Sequence, residues 1–308
     1  MFWIIYSILS ASLWAFSNYI DKYLIERFCK GLNVGSLVLF SSAIGIPVSA
    51  FIFAFYPNVF DINLFEIFIL TFSGNFFLLG VVLYLYALSK DEASIVAPQL
   101  LMIPVFSALF SYIFLGEQLS FIQIIGIIVV ILGSMLLSTN INDIKKPKFK
   151  SPIFILMVFS SSFMAINAVI FKYGIVSDAT FWTVAFWEHV GFIIFGLVCF
   201  VFIRSYRNEF IYLVKTNGVG VLSLNVLNEI LTIIGNLSFH YATIFAPIAI
   251  VETVTEGIQP VFVIIYGLLL TIFFSKIINE RIDKKTLFQK IFAILIMYVG
   301  LQTLIFTF

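Results

Sequence analysis

The chain has 308 residues, of which 62% are hydrophobic and 11% are charged, and its mean hydropathy is +1.12. A soluble domain of this length does not need so much apolar surface, so the composition places the protein in a membrane. The formal net charge of +1 gives no reason to expect a nucleic acid or another polyanion as a partner.

Ten apolar runs, each long enough to cross a bilayer as a helix, follow one another along the chain. They are too continuous for the alternating pattern of a membrane β-barrel. The sequence therefore predicts an all-α membrane protein with ten transmembrane helices and short loops. We place these spans at Trp3–Leu24, Leu32–Tyr56, Leu64–Leu88, Ser94–Leu115, Phe121–Ser138, Pro152–Val176, Ala179–Ile203, Gly218–Tyr241, Ile248–Phe274 and Leu287–Phe308.

The second five runs repeat the first five. The segment WAFSNYIDKY at residues 14–23 recurs as MAINAVIFKY at residues 164–173. Because each unit has five spans, an odd number, the two copies must enter the membrane with opposite orientation, which is the parity of an inverted repeat. We therefore predict repeats at residues 1–139 and 152–308, joined by a basic linker at residues 140–151. Further echoes are Tyr86-Ala87 with Tyr241-Ala242, Pro104-Val105-Phe106 with Pro260-Val261-Phe262, Glu117 with Glu280, and Gly133 with Gly300.

The basic residues favour one side of the membrane. Of the 17 Lys and Arg residues, only Lys172 falls on the side to which the chain termini are assigned. The positive-inside rule then places both termini outside the cytoplasm. The other 16 are Lys22, Arg27, Lys30, Lys90, Lys145, Lys146, Lys148, Lys150, Arg204, Arg207, Lys215, Lys276, Arg281, Lys284, Lys285 and Lys290.

Several short motifs carry a resemblance to a known family. They are Leu13-Trp14-Ala15, Tyr86-Ala87-Leu88, Ala93-Ser94, Pro104-Val105-Phe106 and Leu115-Gly116-Glu117-Gln118-Leu119-Ser120. With them the chain resembles the EamA family of the drug/metabolite transporter superfamily over nearly its whole length. The resemblance implies transport of a small solute, such as an amino acid, sugar, drug, nucleotide or polyamine, and a bacterial cytoplasmic membrane.

The chain departs from that family in two ways. The family commonly has Glu before the proline of span 4, where this chain has Ile103, and the second copy has Gln259. Many members keep their N terminus in the cytoplasm, whereas the charge bias here predicts the reverse.

Acidic groups at membrane depth concentrate in the second repeat, as Glu188, Glu229, Glu252 and Glu256. Such residues are costly in a bilayer and usually face an interior. Glu252 and Glu256 are four positions apart and therefore share one helix face. Two neighbouring carboxylates in a low dielectric do not both stay ionised easily. We expect these acids to couple protons or bind a cationic group; a static hydrogen-bonded pair is the alternative.

The other predicted substrate-binding residues are polar or aromatic. Spans 4 and 9 each carry two prolines, and interrupted helices in matching positions of two repeats indicate a binding site. Structural kinks and core packing remain the alternative for the residues near them. These candidates are Asn228, Gln99, Gln259, Trp14 and Asn18.

The sequence shows no Walker A motif, no metal-spaced Cys and His cluster and no Ser/His/Asp framework. We therefore predict no enzyme activity, cofactor or metal site. No basic residue lies at mid-span, which argues against phosphorylated substrates. The predicted function is a secondary transporter that acts as a monomer by alternating access, on a cationic or zwitterionic solute such as an amino acid or polyamine. A multidrug exporter and a non-transporting scaffold or lipid-carrier translocase subunit are the alternatives.

Overall fold

Helices make up most of the described chain. The computed structural model describes residues 2–28, 34–90, 96–138, 151–216, 218–273 and 284–306, and these contain no β-strand. Two 3₁₀ segments lie at Pro57–Phe60 and Ala97–Met102. The α-helices are α1 (Phe2–Phe28), α2 (Gly35–Ala43), α3 (Gly45–Phe55), α4 (Leu64–Lys90), α5 (Ile103–Leu115), α6 (Phe121–Ser138), α7 (Ser151–Val176), α8 (Phe181–Phe202), α9 (Arg204–Thr216), α10 (Gly218–Phe245), α11 (Ile248–Phe273) and α12 (Lys284–Phe306).

Seven helical stretches are long and apolar enough to cross a membrane, which confirms the all-α membrane class. Two shorter apolar helices, at Gln99–Leu115 and Phe121–Leu136, match predicted spans 4 and 5. Helix α1 matches the first predicted span, and the total of ten spans stays a prediction. The seven are Gly35–Phe55, Leu64–Lys90, Pro152–Val176, Phe181–Phe202, Leu222–Phe245, Ile248–Gly267 and Phe288–Ile305.

The structure differs locally from the sequence prediction at three places. Span 2 divides at Ile44 into α2 and α3, and span 4 begins with the 3₁₀ segment Ala97–Met102. Helix α9 lies in a stretch for which the sequence predicts a loop. A loop is predicted there because the charged residues make this stretch too polar to cross a membrane. The ring of Phe210 packs 4.7 Å from that of Phe40 on α2. The predicted linker lies outside the described residues, except for Ser151 at the start of α7.

Helices from the two predicted repeats pack against each other rather than forming separate halves. Helix α1 contacts α10 and α11, helix α4 contacts α7 and α8, and helix α6 contacts α12. The interior between these helices is therefore built from both ends of the sequence.

Glycines allow α8 to approach α4 closely. A Cβ added to Gly74 would lie 2.0 Å from the carbonyl oxygen of Glu188, and one added to Gly191 would lie 2.1 Å from that of Thr71. Small residues of this kind let membrane helices pack backbone to backbone. This contact holds α4 and α8 in a fixed position beside the interior.

An ion pair fixes the turn between α10 and α11. Lys172 Nζ on α7 lies 2.5 Å from Glu117 Oε1, in the loop after α5. Lys172 also donates a hydrogen bond to the carbonyl oxygen of Ala246 at 2.8 Å, and the amide of Ile248 donates to Glu117 Oε2 at 3.0 Å. We call these four residues the α11 clamp, because Glu117 satisfies an amide at the N terminus of α11.

The close α4–α8 packing predicts that Gly74→Ala destabilises the protein by about 1–3 kcal/mol, because a methyl group would overlap a backbone carbonyl that cannot move away. The matched control is Gly220→Ala on α10, where an added Cβ meets nothing within 4 Å. Thermal unfolding of both purified variants in detergent measures the difference. Equal midpoints for the two variants would show that the α4–α8 contact tolerates the methyl group.

The α11 clamp predicts that Lys172→Met and Glu117→Gln each lower stability, with a coupling energy of about 0.5–3 kcal/mol in the double variant. Each single change leaves one member of the pair without its partner. The control is Lys90→Met, since Lys90 is exposed and its Nζ lies 4.2 Å from the Tyr86 ring centroid. Thermal unfolding of the four proteins of the cycle tests this. If the losses of stability in the two single variants simply add up in the double variant, the interaction of Lys172 with Glu117 contributes no energy.

Candidate functional site

A chain of hydrogen bonds joins α1 to α10 around a carboxylate. Asn228 Nδ2 donates to Asp21 Oδ1 at 2.6 Å, and Ser17 Oγ donates to Asn228 Oδ1 at 2.8 Å. Ser17 Oγ also lies 3.0 Å from Thr232 Oγ1. Because both ends of the Asn228 amide are occupied, the amide is held with its NH₂ group toward Asp21.

Glu229 adds a second carboxylate at this position. Ser41 Oγ of α2 donates to Glu229 Oε1 at 2.6 Å, and Glu229 is 8% exposed. Glu229 and Asp21 are close enough to interact electrostatically. We call Asp21, Asn228 and Glu229 the Asp21 group.

The predicted pair on α11 is buried and has no partner among the described residues. Glu252 is 4% exposed and Glu256 is 8% exposed, and the two carboxylates interact electrostatically. Neither forms a hydrogen bond or an ion pair with any residue that the structure describes. Buried charges in proteins are normally paired, so the Glu256 pair, as we call these two residues, is suited to hold a proton or a cation from outside the protein.

Tyr84 of α4 interacts electrostatically with both acidic positions. Its half-buried phenol lies within electrostatic range of both Asp21 and Glu256. Helix α1 runs antiparallel to α10, since its contacts pass from Asn236 to Asn228. It runs parallel to α11, since its contacts there pass from the cluster around Ile248 to Val263. Helices α10 and α11 therefore run in opposite directions from the turn at residues 246–247. At about 1.5 Å per residue, Glu229 lies roughly 24 Å and Glu256 roughly 12 Å from that turn. The Asp21 group and the Glu256 pair are therefore separated by about 12 Å along the helix axes.

Glu188, which the sequence suggested for proton coupling, lies in a different environment. Asn167 Nδ2 donates to Glu188 Oε1 at 2.6 Å and to Ser73 Oγ at 2.8 Å, and His240 Nε2 lies 3.3 Å from the same carboxylate oxygen. The His240 ring stacks on that of Phe171 at 3.8 Å. Glu188 thus joins α4, α7, α8 and α10 through partners within the protein.

The predicted residues of α1 are placed beside α10. Trp14 Nε1 donates to Asn236 Oδ1 at 2.9 Å, and a Cβ added to Gly235 would meet this nitrogen at 2.7 Å. Asn18 is half-buried on the same face of α1 as Trp14. Trp14 therefore has a packing role that is visible in the structure, whatever else it contacts.

The two predicted glutamines lie on different elements. Gln259 is 9% exposed and follows Glu256 by three positions, so it shares the acidic face of α11. Gln99 is half-buried in the 3₁₀ segment, and its backbone carbonyl oxygen accepts a hydrogen bond from Ser161 Oγ of α7 at 3.4 Å. Only Gln259 is thereby placed next to the Glu256 pair.

The sequence prediction missed Asp21, Ser41 and Tyr84 as parts of the site. Asp21 is the acidic residue of span 1, which was a visible signal, but its position near the span end suggested an interfacial charge. Its contact with Asn228 joins residues 207 positions apart, and periodicity within one helix does not reveal such a contact.

No cluster of three or more His, Cys, Asp or Glu side chains is arranged to hold a metal ion within the ranges that the structure describes.

Comparison with known proteins gives one family match and two further similarities. Residues 1–139 match the model of the EamA-like transporter family. An uncharacterized protein of Methanocaldococcus jannaschii is 40% identical over 68 residues, which are 22% of this chain and 50% of that protein. The match thus spans about half the length of this curated relative.

A solved crystal structure is similar to nearly the whole chain. It superposes with a TM-score of 0.67, covers 98% of this chain and 95% of the other, and is 14% identical. A likeness at this identity shows a shared fold and no shared activity.

Over residues 1–139 the family match confirms the resemblance found in the sequence, and together with the apolar helices it supports an integral membrane protein. This part of the chain is similar to the EamA-like transporter family, which is part of the drug/metabolite transporter superfamily.

Proposed function

We propose that this protein is a secondary transporter that carries a small cationic or zwitterionic solute, with protons as the coupling ions. The observation that supports this most strongly is the Glu256 pair, two carboxylates that are at least nine-tenths buried and lack a partner within the described chain. Packing alone does not require such a pair, and an unpaired acid at membrane depth indicates a substrate or proton path.

The chemistry of the site fits an exchange of protons for a cation. An ionised carboxylate attracts an ammonium group, whereas a protonated one does not. In a low-dielectric interior two carboxylates repel each other, so an empty site retains protons and a bound cation displaces them. Gln259, Asn18, Gln99 and Trp14 are the predicted contacts for the uncharged part of the solute.

We propose that the solute moves by alternating access between two inverted five-helix repeats, residues 1–139 and 152–308. Matching glycine contacts support this. A Cβ on Gly80 would meet the Met164 side chain at 2.8 Å, and a Cβ on Gly235 would meet Trp14 at 2.7 Å. Gly80 and Gly235 differ by 155 positions, and Trp14 and Met164 by 150, as do the neighbouring sequence echoes.

A matching pair of hydrogen bonds supports the same relation. Asn167 of α7 bonds to Ser73 of α4, and Ser17 of α1 bonds to Asn228 of α10, each at 2.8 Å. Ser17 and Asn167 are again 150 positions apart, and Ser73 and Asn228 are 155 apart. A two-fold axis in the membrane plane would exchange these two contacts.

One pair of helix contacts departs from the proposed symmetry, as alternating access would require. Helix α4 packs extensively against α8, whereas its counterpart α10 makes few contacts with α2. A transporter with equivalent repeats has one end closed and the other open in each state. The difference supports a structure captured in one of these two states, with the end near the α11 clamp closed.

For the location, we propose a bacterial cytoplasmic membrane with both termini outside the cytoplasm, and a functional monomer. The α11 clamp then lies on the extracytoplasmic side, because the start of α11 and the end of α7 share a side with the chain termini. The rest of the basic residues fall on the opposite side by the predicted topology, in agreement with the positive-inside rule.

The proton-coupled site predicts that Glu252→Gln or Glu256→Gln abolishes pH-dependent uptake of a cationic solute in proteoliposomes. Each change keeps the side-chain shape and removes only the titrating charge. In the unaltered protein, cation binding should strengthen as pH rises, because fewer carboxyl groups are protonated. Glu66→Gln, at a half-buried position in the first turn of α4 that is far along the chain from both acidic positions, is the matched control and should retain flux and pH dependence.

Wild-type flux and pH dependence in both variants would show that these residues only pack helices. Flux of bulky aromatic cations without selectivity would instead favour the multidrug exporter. Complete absence of flux from a folded, correctly inserted protein would favour the scaffold or lipid-carrier translocase subunit.

The charge distribution predicts that a reporter active only in the cytoplasm stays inactive when it is fused after Phe308. The same reporter inserted in the linker at residues 140–151 is the matched control and should be active. Strong activity of the C-terminal fusion would reverse the proposed orientation.

A further inference from the structure

We infer that the site is built for a linear dication, such as a diamine or longer polyamine, with one ammonium group at the Asp21 group and the other at the Glu256 pair. This inference rests on the proposed transport function and specifies its substrate class. A zwitterionic solute, which the transport proposal also admits, is then disfavoured.

The first reason is that the carboxylates form two separate positions rather than one. Asp21 and Glu229 interact with each other, and so do Glu252 and Glu256. The two positions lie about 12 Å apart along the axes of α10 and α11, as estimated from the helix rise. One compact ammonium group cannot contact both positions, whereas the two ends of an extended chain can.

The second reason is that the Glu256 pair is left unsatisfied by the protein. Both carboxylates are at least nine-tenths buried, and neither has a protein partner among the described residues. At the other position Asn228 and Ser41 each donate to one carboxylate oxygen. Those donors orient the carboxylates without neutralising them, so both positions keep acceptor capacity for an ammonium group.

The third reason is that both positions carry acidic side chains, which repel the carboxylate of a zwitterion. The ion pairs of Lys172 with Glu117 and of His240 with Glu188 do not involve the two acidic positions, and no described cationic side chain pairs with Glu252 or Glu256. The carboxylate of a zwitterion would thus meet acidic groups without a described cationic partner. Like charges brought together in a low dielectric repel strongly.

Tyr84 interacts with both ends of the site. Its phenol is within electrostatic range of Asp21 and of Glu256. An aromatic ring with a hydroxyl group suits the methylene chain or a central amine of a polyamine, since it offers both an apolar face and a hydrogen-bonding group.

The test measures binding of three solutes of equal chain length to the purified full-length protein by calorimetry: a linear diamine, the corresponding monoamine and the corresponding ω-amino acid. We expect the diamine to bind about tenfold more tightly than the monoamine, because it makes a second charge-assisted contact. The ω-amino acid should bind more weakly than the monoamine. In a series of diamines of increasing length, the affinity for the unaltered protein should pass through a maximum at one chain length.

Asp21→Asn identifies the second contact. It should bring diamine affinity down to that of the monoamine and leave monoamine affinity unchanged, because the monoamine can still occupy the Glu256 pair. Asp61→Asn, at an exposed position after the first 3₁₀ segment, is the matched control and should keep the preference for the diamine.

Equal affinities for the diamine and the monoamine, or a flat length series, would overturn the dication inference and leave cation transport intact. Tighter binding of the ω-amino acid than of the diamine would also overturn it, in favour of a zwitterionic substrate. Failure of every amine to bind would instead reject the proposed cation site itself.

Discussion

The organisation of this protein depends on a group of carboxylates held in an apolar helix bundle, where the described residues offer Glu252 and Glu256 no counter-charge. Removing a charge from water is costly, and a protein normally repays that cost with an opposite charge and hydrogen bonds. Glu252 and Glu256 receive neither from the residues that the structure describes. The proposed function follows from this imbalance, because a proton or a cationic solute can correct it and can leave again.

Glu188 shows that the residue type alone does not decide such a role. It is as deeply buried as Glu252 and lies in the same predicted repeat. The difference is the surroundings: Asn167 donates to it, and His240 lies beside it. A carboxylate satisfied in this way joins helices together, whereas one left without partners remains available to a ligand.

The acidic positions are held in place by contacts that are distant from them in sequence. The α11 clamp fixes the start of α11, and Glu252 lies about one turn further along that helix. The glycine contacts of α4 with α8 fix the helix that carries Tyr84. In the proposed transport cycle, a movement of α11 relative to α4 would change the distance from the carboxylates to Tyr84.

The sequence by itself determined the membrane class, most helix positions, the resemblance of residues 1–139 to the EamA-like family and the acidic face of α11. These follow from local properties: apolar run length sets a span, and a spacing of four sets a helix face. It did not reveal helix α9, whose polar residues hide its apolar face. Only the tertiary structure showed that Asp21 is bonded to Asn228 and that Glu188 has Asn167 and His240 as partners. The physical reason is that burial and pairing depend on which helices meet, and contacts between residues as far apart as Asp21 and Asn228 leave no periodic signal in either segment.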